Sequence, residues 1–80
     1  MKDKSEIARD FLASGDIDKA LKIAKGFMLG DKNDLESIRL GYDVSKHKDF
    51  YLQIYKSENK IDEIYRKGIE ALKRILNVNN

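Results

Sequence analysis

Apolar residues recur at three- and four-residue spacing along almost the whole chain, and no proline interrupts them. That spacing fits the turn of an α-helix, whereas the alternation a half-buried strand needs is absent. The pattern predicts an all-α fold. A first helix is expected from about Asp3 to Ser14, with Ile7, Ala8, Phe11 and Leu12 on its apolar face and Gly15 just beyond its end. Asp16 is placed to cap a second helix over Ile17 to Met28, burying Ile17, Ala20, Leu21, Ala24 and Met28 with Phe27 at the side, and Gly30 ends it. After a "DKND" loop, Asn33 and Glu36 form a capping arrangement for a third helix from Asp34 to Ser45. Its apolar positions are Leu35, Ile38 and Tyr42, with Leu40 and Val44 on a neighbouring stripe. Asp49 is a candidate cap for a short helix, "FYLQIYK", and "SEN" reads as a turn. The last helix, Lys60 to Leu76, has the clearest face: Ile61, Ile64, Tyr65, Gly68, Ile69, Leu72, Ile75 and Leu76.

Gly68 lies in the middle of that face, where it costs about 1 kcal/mol of helix propensity relative to alanine. It implies close approach by another helix, with the aromatic segment Phe50 to Tyr55 as a candidate neighbour. The expected architecture is a compact bundle of four to five short helices built on an N-terminal helical hairpin. One domain spans 1–80, with 77–80 frayed.

A chain of 80 residues buries roughly 60–65% of its unfolded surface, so small domains of this size often add a disulfide, a metal or a partner. Cysteine is absent and histidine occurs once. That removes disulfides and thiolate metal sites and leaves no reasonable ligand set for zinc. Helix packing or self-association remains as the extra source of stability. Charged residues make up 38% of the chain, yet the signs nearly cancel at +2. This describes a solvated surface, not the strong basic excess of an obligate nucleic-acid binder. The N-terminal "MKDKSEIARDF" has no apolar segment of the signal-peptide kind, and no run approaches the roughly 18 apolar residues of a membrane span. A cytoplasmic protein without cofactor, metal, membrane contact or small-molecule substrate is expected.

Two resemblances follow from particular stretches. The first 34 residues, which include "FLASGDIDKALKIAKGF" from Phe11 to Phe27, resemble one tetratricopeptide unit, with Ile7, Ala8, Phe11, the Gly15-Asp16 turn and Ala20 at matching positions. Ala24, Phe27 and Lys32 break that register and no second unit follows, so the stretch reads as a helical hairpin. The segments "ALKIAKGFMLG", "YDVSKHKDFYLQI" and "IYRKGIEALKRIL" resemble a group of small phage and prophage proteins of low-GC Gram-positive bacteria. The matching residues are Ala20-Leu21, Ile23-Ala24-Lys25, Phe27, Leu29-Gly30, Asp49-Phe50-Tyr51, Gln53, Gly68-Ile69 and Leu72-Lys73. The chain departs at Met28, a position often basic in the group, and at His47-Lys48, where His-Pro or Tyr-Pro is common. The resemblance implies a phage or prophage origin and a helical fold, and carries over no site residue.

Catalytic chemistry finds no footing in the residues. His47 stands alone between two lysines in a predicted loop, and the serines fall mostly at helix ends, where capping explains them. "DKNDLE", Asp31 to Glu36, lacks the glycine and the final acid of a calcium loop. Lys19, Lys22 and Lys25 recur along the second helix and are the candidate nucleic-acid contacts of a small DNA-binding regulator. They are interspersed with acids and offer no Asn, Gln or Arg to read base edges.

The densest unusual feature is "FYLQIY". On a helix, Phe50 and Ile54 share one stripe, and Tyr51 and Tyr55 share the next. A short helix in so small a chain can hardly bury both. Clustered tyrosines and aliphatics have the composition of an interface hot spot; the competing reading packs Tyr51 and Tyr55 over the last helix with their hydroxyls in water. The expectation is stoichiometric binding of a host or phage protein, such as a defence or nucleic-acid-processing enzyme, through Phe50, Tyr51 and Tyr55. Tyr42, Tyr65, Leu40 and Leu29 are candidate extensions of the patch. Homo-oligomerisation through the same apolar surplus is the third possibility.

Overall fold

The computed structural model describes residues 3–28 and 30–78. Among them are five helices and no strand: α1 (Lys4–Ala13), α2 (Ile17–Ala24), α3 (Lys32–Lys46), α4 (Lys48–Tyr55) and α5 (Glu58–Leu76). The protein is an all-α bundle. α1 and α2 form the N-terminal hairpin, and α3 with α5 makes the most extensive helix pair.

The hairpin turn follows from two residues. Gly15 takes φ +86°, a left-handed backbone open to glycine at little cost, and ends α1. The Asp16 side chain then accepts from the Lys19 N–H and starts α2. Asp3 caps α1 in the same way, accepting from Glu6 N–H at 2.9 Å.

α2 is shorter than its periodicity suggests, which corrects the expected end at Met28. It stops at Ala24, and the chain tightens through Gly26 N–H to Ile23 O (3.2 Å) and Phe27 N–H to Ala24 O (2.9 Å). That early stop exchanges the roles of the next two side chains. Phe27 turns into the core at 8% exposure, and Met28 stands in solvent at 92%. Gly30 therefore ends no helix; its φ of +131° turns the loop against Ile75.

The starts of α3, α4 and α5 also shift. Asp31 caps α3, accepting from Asn33 N–H (2.8 Å) and Asp34 N–H (3.4 Å), so Asn33 lies inside the first turn instead of capping it. A carboxylate at this position serves two free amides and also meets the positive end of the helix dipole, which an amide side chain does not. α4 begins at Lys48 after a single joint residue, His47, and Asp49 falls within the helix instead of capping it. Ser57 caps α5 through Lys60 N–H (3.2 Å), so "SEN" is a cap and a first turn. At the other end Asn77 takes a left-handed φ of 57° and Val78 N–H donates to Lys73 O at 2.9 Å. Of the tail expected to fray, Asn77 and Val78 thus close α5, and 79 and 80 lie outside the described residues.

α3 and α5 run antiparallel, with Asp34 against Arg74 at one end and Val44 in one cluster with Ile61 at the other. They touch backbone to backbone where Gly41 meets Gly68. A Cβ on Gly68 would lie 2.8 Å from Ser37 O and 3.1 Å from Gly41 Cα. The neighbour that needs this glycine is therefore α3, which corrects the expected approach of Phe50 to Tyr55. Around the crossing lie two core clusters among the described residues. The larger joins Ala8, Ala20, Leu21, Ala24, Phe27, Ile38, Ala71, Leu72 and Leu76; the smaller joins Val44, Ile61 and Ile64. The four alanines of the larger cluster are fully buried, and their small volume lets α2 sit close to α1 and to α5. Arg9 links the chain's two ends, donating from Nε (3.1 Å) and Nη2 (2.7 Å) to the Leu76 carbonyl at the negative end of α5.

Candidate interaction surface on α4

α4 is suspended between its neighbours. The single joint residue His47 leads in from α3, and no side chain caps the helix N-terminus. Its C-cap, Lys56, adopts a left-handed φ of 56°, which costs about 1–2 kcal/mol for a residue with a Cβ. None of the eight residues of α4 is fully buried. Tyr51 and Leu52 turn inward and pack on the smaller cluster with Leu40 and Tyr65.

The outward side carries the apolar surface. Phe50 is 59% exposed, Ile54 54% and Tyr55 36%. Phe50 and Ile54 lie four residues apart and so share one stripe. Phe50 meets the Tyr51 ring edge-on at 5.3 Å, and the Tyr51 and Tyr55 rings stack at 6.1 Å. Tyr55 thus borders the exposed stripe and Tyr51 lies beneath it. Ile54 was not singled out as a contact residue from sequence, although its spacing from Phe50 was the available signal.

The other aromatic candidates lie elsewhere. Tyr65 sits behind α4, packed on both clusters, and its hydroxyl donates to Asp18 at 2.9 Å. Burial and that carboxylate acceptor push the Tyr65 pKa up to about 12. Tyr42 packs on the larger cluster from α3, with Lys25 Nζ 4.5 Å and Lys46 Nζ 5.7 Å from its ring centre. Leu29 lies outside the described residues.

The α2 lysines diverge. Lys19 pairs with Asp16 at 3.5 Å and leans over the Phe11 ring of α1, while Lys25 covers Tyr42 of α3. Lys22 is exposed between them. Steps of three residues rotate each side chain around the helix, so the three ammonium groups do not form one straight stripe.

An open hollow of 740 Å³ lies near the start of α1 and the start of α3, with Phe27, Met28 and Ile75 as apolar wall. Three of its charged groups are engaged with one another or with backbone: Arg74 Nη2 meets Asp34 Oδ1 at 2.7 Å, and Asp31 caps α3. No buried side-chain nitrogen or oxygen among the described residues lacks a hydrogen-bond partner. No group of three His, Cys, Asp or Glu residues among them is placed to hold a metal ion, and no helix among them is long and apolar enough to cross a membrane. The exposed face of α4 is the surface least explained by the fold itself.

No protein-family model matches the chain, and neither a curated protein nor a solved structure does.

Proposed function

We propose that the protein acts by stoichiometric binding of another protein, with Phe50, Ile54 and Tyr55 as the contact and Tyr51 supporting them from below. The observation that carries this reading is the exposure of Phe50 and Ile54, each more than half open to solvent, on a helix with no buried residue. Large apolar side chains clustered on an exposed helix are characteristic of interaction sites, and aromatic anchors dominate their energetics. In the form that the sequence resemblance implies, the chain is a phage-type accessory protein in the bacterial cytoplasm. Its partner is then a host factor such as a defence or nucleic-acid-processing enzyme.

The duplex-binding alternative draws on Lys19, Lys22 and Lys25, and two of these already rest on aromatic rings of their own chain. It requires affinity that falls steeply with salt.

A photo-crosslinking residue placed at position 50 or 54 tests the proposal in cells, with position 22 on α2 as the comparison. A defined protein captured from α4 and not from α2, and lost when the other α4 residue is replaced by serine, is the expected result. Equal capture from both helices, or none from α4, overturns it.

A further inference from the structure

We infer that the α3–α4 joint at His47 is a hinge through which two copies of this chain exchange α4 and α5, independently of the α4 contact proposed above. Helical hydrogen bonding reaches the joint from both sides. His47 N–H donates to Asp43 O at 2.8 Å as the last bond of α3, and the His47 carbonyl accepts from Tyr51 N–H at 3.1 Å as the first of α4. The intervening N–H groups of Lys48, Asp49 and Phe50 have no backbone acceptor among the described residues, and no side chain caps them.

The bend rests on that one residue. His47 has φ −127° and ψ 47°, about 60° and about 90° from the helical values. No proline or glycine, the usual causes of a sharp kink, lies between Val44 and Phe50. Turning His47 alone into the helical region therefore makes Lys32 to Tyr55 one helix. The carbonyls of Val44, Ser45 and Lys46 then accept from the three free amides, each four residues further on. What holds the bend in the single chain is the packing of Tyr51 and Leu52 on the smaller cluster.

A single chain cannot straighten and keep that cluster. Only Lys56 and Ser57 join α4 to α5, and Ile61 shares the cluster with Val44. In the straight helix Tyr55 lies about 16 Å beyond Val44, and Glu58 lies only about 4–5 Å beyond it on the antiparallel α5. With the roughly 8–10 Å between packed helices, the gap is about 15 Å, whereas three residue steps reach at most about 11 Å. Straightening thus pulls Ile61 out of place unless α5 packs on a second copy. In the exchanged pair, α4 and α5 of each chain settle together on α1, α2 and α3 of the other. The close approach of Gly41 to Gly68 then forms between chains, and the joint alone changes conformation. Exchange of identical elements is a low-cost route to a dimer, and short hinges favour it.

Refolding from urea at micromolar and at millimolar chain concentration tests the hinge, with dimer read by sedimentation and exchange by NMR on mixed labelled and unlabelled chains. The concentrated sample should contain a dimer that persists on dilution, because undoing it requires α5 to leave α3. Cross-chain nuclear Overhauser effects should join α3 residues near Gly41 to α5 residues near Gly68. His47→Ala, which favours helix at the joint, should raise the dimer share at least about threefold. Two glycines inserted after His47 should abolish the dimer, since a longer, flexible joint no longer propagates α3 into α4; circular dichroism checks that helix content is kept. Phe50→Ser with Ile54→Ser should leave the dimer share unchanged. No dimer from wild type and His47→Ala alike, equal shares with and without the insertion, or a dimer lost in the double serine variant overturns the inference.

Discussion

The Tyr65 hydroxyl joins α5 to α2 through a single 2.9 Å bond to Asp18. Its pKa, raised from the ordinary 10.0 to about 12, reflects burial first and the carboxylate acceptor second. Because the folded value lies above the unfolded one, the neutral hydroxyl is favoured by folding. The stability it contributes is complete below pH 10 and is lost as pH climbs through about 12. Tyr65→Phe should cost about 1 kcal/mol at neutral pH, since Asp18 is half-buried and recovers water in exchange. In urea melts between pH 9.5 and 12.5, wild type and Tyr65→Phe should therefore converge; a gap that widens with pH sinks this account. Lys56 presents the opposite situation, a residue held where its backbone is unfavourable. Lys56→Gly should raise stability by about 0.5–1 kcal/mol, the relief of the left-handed conformation less the extra chain entropy of glycine. A lowered melting temperature would show that the lysine side chain contributes more than its backbone costs.

At the scale of elements, the α3–α5 crossing is set by two glycines. Gly68→Ala gains up to about 1 kcal/mol of helix propensity, but its Cβ would press on the Ser37 carbonyl at 2.8 Å. Backbone cannot rotate aside as a flexible side chain can. The variant should lose about 1–3 kcal/mol net, and more than Gly41→Ala, whose nearest contact is 3.1 Å. Equal melting temperatures for the two variants would contradict this geometry. The same crossing illustrates what the sequence could convey. Periodicity placed Gly68 on the buried face of α5 and so implied a close neighbour, but a face does not name the helix it meets. Hairpin chemistry was legible because it is local: Gly15 and Asp16 act within a few residues of themselves. The end of α2 was not, because Phe27 and Met28 both suit an apolar face, and which one turns inward depends on where the helix stops. α4 carried the same ambiguity. Its two apolar stripes lie side by side in sequence, and only attachment to α3 and α5 decides that Tyr51 and Leu52 turn inward while Phe50 and Ile54 stay out.

The whole molecule is an antiparallel α3–α5 spine with a different load at each end. The α1–α2 hairpin packs on the larger cluster and is fastened by Arg9 on the Leu76 carbonyl, by Tyr65 on Asp18 and by four buried alanines. α4 packs on the smaller cluster with two half-buried side chains and no capping bond at its start. A domain of this size has about 4–12 kcal/mol of total stability, so truncating one fully buried leucine such as Leu72 to alanine, at about 2–5 kcal/mol, removes much of it. α4 contributes far less, since Phe50 and Ile54 are already solvated in the folded state. Their replacement by serine should change global stability by no more than about 0.5 kcal/mol. The spine and α4 should consequently open at different free energies, as local and global unfolding do when buried contacts are unevenly distributed. Native-state hydrogen exchange should find the amides of Phe50 to Tyr55 the least protected of any helix centre, exchanging with little dependence on denaturant. Amides of Ile38 to Val44 and Ile64 to Leu72 should exchange only through global unfolding. If the α4 amides follow the same steep denaturant dependence as α5, the helix is part of the cooperative core. Occupation of α4 by a partner should raise protection there before it alters the spine, because the contact adds burial to a helix with no fully buried residue.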